Sequence, residues 1–450
     1  VNRLHVPITE EGDWRNEQTS EAFTTTFSGD FVDFKDSCWT HFFHIMLDGD
    51  NVLDHPDYEP GGAHGVIYDE PVLDVSTAAY PDVMKVLDAI QSQFVDNGPC
   101  LKSVFVVGDQ QSYDRMLNLI EMYPIRYCWV IPMPGEFHFM GHTYFAMNRL
   151  WYDDLTGWAV HKTGFEKTVK AETEDMSYFS HYDRFYSLLT VAIMVVFVSA
   201  FDVNTVSNPK AFMALCAENK GAMILCRYLY DCGLPLLATR MAIRSNSGTT
   251  IDEMWRYMGP IFRSMGKVHY ARLSVLSQHI TAHLKDPLRS VWDQYRTLSL
   301  RGNNGRNVGW DFGCERFNLE CQEFLSKSIT KERLLKAIPI LNGLRHVRNQ
   351  TLNAFGVRND ECSEYTGVLS SDIDVLVHAI REELGLTGVD DAAALISPRL
   401  RGRLFRQPDG EACDRRYPWN ITREFRGENM TKYVISQLRS MPESVRARWT

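Results

Sequence analysis

Ser103-Val104-Phe105-Val106-Val107-Gly108-Asp109-Gln110-Gln111 is an apolar, valine-rich run that stops abruptly on Gly-Asp and opens into a polar helix start. The composition predicts a buried strand feeding a helix. A helix from about Tyr80 to Phe94, with Val83, Val86, Leu87 and Ile90 at helical spacing, precedes it. A second helix, Ser112 to Met122, follows and leads into a further β-type run, Tyr127 to Met133. That order, β-α-β, is the order of a parallel strand pair. Asp109 then has two readings. It either caps the helix behind it, or it is a carboxylate that rigid backbone presents to a metal ion while the next loop leaves room for substrate.

Outward from this unit the chain changes character twice. Up to about Trp151 it mixes helices with other short β-type runs, Thr40 to Leu47 and Val66 to Tyr68, so this part is expected to be α/β. From about Lys162 to Arg301 the spacing is helical throughout, in Tyr182 to Phe201, Ala211 to Cys232, Ile251 to Met265 and Tyr270 to His283. Helical spacing returns from Trp310 to Ala354, broken by Pro339, and again from Leu369 to Glu383. The most apolar segment, Leu188 to Phe201, is interrupted by Thr190 and Ser199 and is shorter than the ~20 residues of a membrane span. It reads as a buried helix, and no membrane partner is expected.

With 450 residues, 44% of them hydrophobic and 12% aromatic, the chain can fill a sizeable core, and disorder is not the expected state. Ten cysteines form no Cys-x-x-Cys pair. Cys128, Cys216, Cys226, Cys314 and Cys321 lie in apolar surroundings and read as reduced core residues of a nuclear or cytoplasmic protein. The sequons at Asn349, Asn420 and Asn429 are then chance matches. The chain opens on Val1, as a fragment or processed product would. The net charge is −10, yet residues 399–450 carry twelve Lys/Arg against six Asp/Glu. There Arg399, Arg401, Arg403, Arg406, Arg415, Arg416, Arg423 and Arg426 are interleaved with Phe405, Tyr417, Trp419 and Phe425. Such a segment either contacts phosphates and stacks on bases or pairs with the acidic body.

A second chemical cue lies in Trp310-Asp311-Phe312-Gly313-Cys314-Glu315-Arg316-Phe317-Asn318-Leu319-Glu320-Cys321. As a helix it sets Glu315, Asn318 and Gln322 on one polar face, with Phe317, Cys321, Phe324 and Leu325 as its apolar stripe. That face either points into a cleft or is solvated. Two histidine pairs, His138/His142 and His279/His283, have the i, i+4 spacing of a zinc pair. Neither has the Glu of His-Glu-x-x-His, so satisfied structural histidines are the simpler reading.

Four blocks in order resemble an uncharacterised eukaryotic domain family of transposon descent. They are Glu70-Pro71-Val72-Leu73-Asp74-Val75, Gly108-Asp109-Gln110 with Arg115, Pro132-Met133-Pro134-Gly135-Glu136-Phe137-His138, and Gly305-Arg306-Asn307 through Glu315-Arg316-Phe317-Asn318. Gly266-Lys267-Val268-His269-Tyr270 is similar to a further block. The arrangement resembles the ribonuclease H-like core of DDE transposases with a large helical insertion. Glu136 stands where the family usually has Asp, and Arg316 where His often follows the Glu.

The resemblance implies a ribonuclease H-like α/β core interrupted by an all-α insertion, in a chain that is predominantly helical. Residues 1–160 would be the first part of the core, 161–302 the insertion, 303–360 the returning core helices with the last acidic residue, and 361–450 a C-terminal helical and basic segment. It implies a transposase-like nuclease that cleaves and transfers DNA strands with Mg²⁺ or Mn²⁺, the metal held by Asp109 and Glu315. Asp33, in Phe31-Val32-Asp33-Phe34, is the best substitute for the first carboxylate because it alternates with apolar residues like a strand ligand. His138, Arg115, Arg306 and Asn318 would lie in the second shell or on DNA, and Asn307 would cap or orient the approach to Glu315. Two Mg²⁺ ions about 3.5–4 Å apart would neutralise the scissile phosphate and activate water or a 3′-hydroxyl. The alternative is a catalytically inactive, domesticated remnant that binds DNA or protein. A homo-oligomer fits either.

Overall fold

The computed structural model describes residues 31–48, 79–96, 102–172, 174–201, 203–298, 307–315, 333 and 370–386. The chain divides into two compact units. The first comprises Val1–Gly65, Val75–Gly313 and Leu369–Ser397; the second comprises Val66–Asp74, Cys314–Val368 and Pro398–Thr450. Every described residue except Cys314, Glu315 and Arg333 belongs to the first unit. Helix accounts for 77% of the interpretable residues, and the sheet among them is one parallel pair.

That pair is the β-α-β unit expected from the opening stretch. β1 (Val104–Gly108) and β2 (Val130–Pro134) run parallel in the register Val104↔Val130 to Gly108↔Pro134. The crossover is α3 (Gln110–Met122), which buries Tyr113, Met116, Leu117, Leu119 and Ile120 on one face, the three-to-four spacing of a core-facing helix. β2 is buried along its whole length and β1 is half-buried. β2 starts at Val130, which pairs with Val104, because residues 124–129 before it form turns, closed by the Tyr127 N–H on the Tyr123 carbonyl and the Val130 N–H on that of Tyr127.

Two β-type readings are corrected. Thr40 to Leu47 and the Phe31-Phe34 alternation both lie in or at the start of one helix, α1 (Val32–Asp48). Its Phe34, Cys38, Trp39, Phe42 and Phe43 are buried at spacings of three and four. A short apolar run fits either period, and the longer series decides for helix. Val66 to Tyr68 falls outside the described residues. α2 (Tyr80–Ile90), begun by Pro81 in its first turn, passes into a π-turn, Gln91–Asp96.

After β2 come α4 (Glu136–Trp151), α5 (Gly157–Thr163) and α6 (Phe179–Ala200), then a short α7 (Val203–Val206). α8 (Pro209–Cys216) and α9 (Lys220–Tyr228) divide the run expected as one helix at Ala211 to Cys232, because Asn219 caps α9 by accepting the Ala222 N–H. α10 (Leu234–Ser245), α11 (Gly248–Ser264), α12 (Val268–His283) and α13 (Leu288–Gln294) follow. α11 and α12 form an antiparallel hairpin turned by Gly266, whose φ of 75° suits glycine. Along it Gln278 Nε2 donates to the Asp252 carbonyl at 2.8 Å, and Ser274 Oγ to that of Trp255.

α6 is the hub of the helical part. Fifteen of its 22 residues are buried, from Tyr182 to Phe197, and α14 (Ser370–Leu384) packs along it with Ile373, Leu376, Val377 and Ile380. Each such side chain removed from water contributes roughly 1.5–3 kcal/mol. Among the described residues, one helical stretch, Met176–Ala200, is long and apolar enough to cross a membrane by length and composition. Within the fold 78% of its apolar 18-residue window is buried, as in a core helix. Residues 310–315 are helical, and the remainder of the run expected to Ala354 lies outside the described residues apart from Arg333.

Candidate functional site at the carboxyl ends of the strands

Parallel strands deliver their carboxyl ends to the same edge of the sheet, and there each strand passes directly into a helix. β1 ends at Gly108-Asp109 before α3, β2 ends at Pro134-Gly135 before α4, and the Gly135 N–H donates to the Gly108 carbonyl at 3.0 Å. In open α/β proteins this edge is where ligands bind.

Asp109 is the N-cap of α3. With extended backbone (φ −62°, ψ 174°) its Oδ1 accepts the Ser112 N–H at 2.8 Å. A Cβ at Gly108 would come within 2.8 Å of Ser112 Cβ, so the glycine lets this tight entry form. Asp109→Ala is therefore expected to lower unfolding stability by about 1 kcal/mol, and Asp109→Asn, an equally good cap, to leave it within a few tenths. Urea unfolding of the two variants checks this.

Glu136, first residue of α4, is buried under the sheet edge. Its Oε2 accepts the indole N–H of Trp255 at 3.0 Å, and its Oε1 lies 2.8 Å from Arg296 Nε as an ion pair without hydrogen-bond alignment. Burial pushes the Glu136 carboxyl up to about 7, against the opposing pull of the Arg296 charge. Arg296 is wholly enclosed. Its guanidinium lies 4.2 Å from the centre of the Trp292 ring, and Nη2 is 3.6 Å from Asp252 Oδ1. Asp252, held up by burial, also accepts from Trp292 Nε1 at 3.2 Å and pairs with Arg289 at 3.4 Å. Two acids and two arginines thus tie α4, α11 and α13 together.

Asp311 comes to the same edge from the segment after α13. Its Oδ1 accepts the Phe137 N–H at 3.0 Å; its Oδ2 accepts the His138 N–H at 3.0 Å and lies 3.0 Å from His138 Nδ1. Lying 174 and 173 residues along the chain from the two N–H groups it accepts, it caps α4 in place of Gly135, which has no side chain to do so. A Cβ at Gly135 or Gly309 would overlap the Asp311 carboxylate, so both glycines serve this close approach.

His138 is held in this cap, and His142, one turn on, faces Tyr270 with ring centres 4.2 Å apart. Lys267 Nζ lies 3.1 Å from His142 Nδ1 and 2.7 Å from Glu174 Oε2. Burial and then the Lys267 charge lower the His142 imidazole to about 4, so it is neutral at physiological pH. Burial, with the charges of Asp109 and then Asp311, raises the Tyr270 hydroxyl.

The sequence-derived site residues are thus placed as follows. Asp109 and His138 stand at the strand edge, and Arg115 is half-buried on α3. Asp33 is corrected: it is exposed in the first turn of α1 and not on a strand, because the Phe31-Phe34 alternation is helical. Glu315 is exposed and belongs to the second unit; Arg306 and Asn318 lie outside the described residues. Asn307 is a strut, with its N–H on the Arg244 carbonyl at 3.1 Å and its amide on Thr297 Oγ1 at 3.0 Å. No family model, curated protein or solved structure matches the chain. Among the described residues, no three His, Cys, Asp or Glu side chains are grouped to hold a metal ion. Sequence reasoning did not single out Arg296, Asp252, Trp255, Asp311, Arg289 or Trp292, all of which build this edge.

Proposed function

We propose that this chain is a transposase-like module, on a ribonuclease H-like core, that binds DNA without cutting it. The observation that carries the non-cleaving half is the employment of the strand-end carboxylates. Asp109 holds the start of α3, Asp311 holds the start of α4 through three contacts, and Glu136 is matched by Arg296 and Trp255. Two-metal phosphoryl transfer needs carboxylates whose lone pairs are shared between ions and substrate; here they are turned toward backbone N–H groups and a buried guanidinium. The DNA-binding half rests on the arginine- and aromatic-rich segment 399–450.

Fluorescence anisotropy with a labelled duplex tests both halves. Affinity is expected to fall roughly 10³-fold between about 50 and 200 mM salt, and replacing Arg399, Arg401, Arg403 and Arg406 by Gln to flatten the log–log slope by about 3–4. The DNA should remain intact with Mg²⁺ or Mn²⁺ present. Salt-insensitive binding would remove the DNA-binding half. Mg²⁺-dependent strand cleavage lost in Asp109→Asn would replace this reading with that of an active nuclease.

A further inference from the structure

We propose that the outer edge of β1 is the contact by which two copies of this chain pair, edge to edge and antiparallel about a twofold axis. Within the β1–β2 ladder the Val104 N–H donates to the Trp129 carbonyl at 2.8 Å, and the Gly108 carbonyl accepts the Gly135 N–H at 3.0 Å. Backbone groups alternate along a strand, so Val104, Val106 and Gly108 face β2, while Phe105 and Val107 turn their N–H and C=O groups to the other side. Among the described residues β1 pairs with β2 alone, and nothing there answers those outward groups. β1 is half-buried along its length where β2 is fully buried, and Phe105 is backed by Trp292 of α13 with ring centres 6.0 Å apart.

Native edge strands are guarded against such pairing by a charge, a proline or a bulge. Val104-Phe105-Val106-Val107-Gly108 has none of these: it is uncharged, β-prone up to its closing glycine, and in unbroken register with β2. The charges at its two ends select the occupant. Lys102, exposed, precedes the strand and Asp109 follows it. An antiparallel second copy brings Lys102 of each chain beside Asp109 of the other, whereas a parallel one sets like charges together. With Val106 on the axis, Phe105 of one copy opposes Val107 of the other, and each such pair exchanges both its N–H···O=C bonds. An aromatic ring then lies against a β-branched side chain, a favourable cross-strand combination. Two two-stranded sheets become one of four strands, a size that is stable where a lone pair is marginal.

Sedimentation velocity of the whole chain tests this at concentrations from about 1 to 100 μM. The wild type is expected to dimerise reversibly. Val107→Pro removes an N–H that β2 does not use, so it should keep the far-UV circular dichroism of the wild type and raise the dimer dissociation constant roughly tenfold or more. Val107→Ala keeps that N–H and should dimerise nearly as the wild type does. Zero-length carbodiimide coupling of the wild-type dimer should join Lys102 to Asp109, read by mass spectrometry of the covalent dimer. Within one copy these residues are seven apart, about 23 Å along a strand and beyond a lysine's reach, so the link reports pairing between copies. The proposal is overturned if the wild type stays monomeric over that range, a monomer that binds an unrelated extended peptide included. It is equally overturned if the dimer carries no Lys102–Asp109 link, or if folded Val107→Pro dimerises as tightly as the wild type. Should Val107→Pro fail to fold, the link in the wild type decides alone.

Discussion

Replacing Arg296 with methionine is expected to lower the free energy of unfolding by about 3–5 kcal/mol at pH 8, because removing one partner of a buried ion pair strands the other charge without water. Glu136 would lose the cation 2.8 Å from its Oε1, and Asp252 would keep Arg289. Lowering the pH to about 5.5 should restore part of the loss, since Glu136 then takes up a proton and the stranded charge vanishes. Glu136→Gln combined with Arg296→Met should therefore be less destabilised than Arg296→Met alone at pH 8, a coupling that a double-mutant cycle in urea measures.

The same carboxyl sets an unusual pH trend in the wild-type protein. Its folded value is raised from 4.5 to about 7, so between these values the folded state holds a proton that the unfolded state has released. Its contribution is fully present below about 4.5 and is lost as the pH rises through 7, the opposite of an ordinary salt-bridged carboxylate. Relative to Glu136→Gln, wild-type stability should fall by about 3 kcal/mol across that window, from roughly 1.4 kcal/mol per unit. An equal slope in both proteins would mean that Glu136 stays ionised against Arg296 throughout.

Asp311→Ala is the second large effect. It removes the acceptor of two α4 N–H groups and of the His138 ring, and leaves them at a crowded edge where Gly135 and Gly309 admit little else. The loss of the cap and the orphaned donors together should cost about 2–3 kcal/mol. Asp311→Asn should cost less, since an amide oxygen can still accept one N–H. Amide exchange at Phe137 and His138 should accelerate selectively in Asp311→Ala. A global loss of protection without that selectivity would mean that Asp311 supports the fold elsewhere.

The β-α-β unit was legible because its signals are local: a valine-rich run, a Gly-Asp stop, a cap three residues before Ser112 and a helical period in α3. Asp109 could be read both as cap and as ligand from the same four residues, and only the Ser112 N–H contact distinguishes the cap. In α1 the runs Phe31 to Phe34 and Thr40 to Leu47 each fit a strand on their own, while the buried series Phe34, Cys38, Trp39, Phe42 and Phe43 carries the helical period. The buried network had no local signature. Glu136, Asp252 and Arg296 are far apart in sequence, and each alone looks like an ordinary surface charge. Asp311 lay inside the stretch that drew attention to Glu315. Its flanking Gly309 was the available cue, a residue whose missing Cβ marks a close approach.

Calorimetric titration of Mg²⁺ and Mn²⁺ into the wild-type chain and into Asp109→Asn tests the central claim most directly, because asparagine preserves the cap while removing the charge a metal would need. If the strand-end carboxylates serve the fold, the two proteins give the same binding isotherm and unfold at the same midpoint with and without the cation. Saturable divalent binding in the wild type that disappears in Asp109→Asn would contradict the account and return Asp109 to the metal.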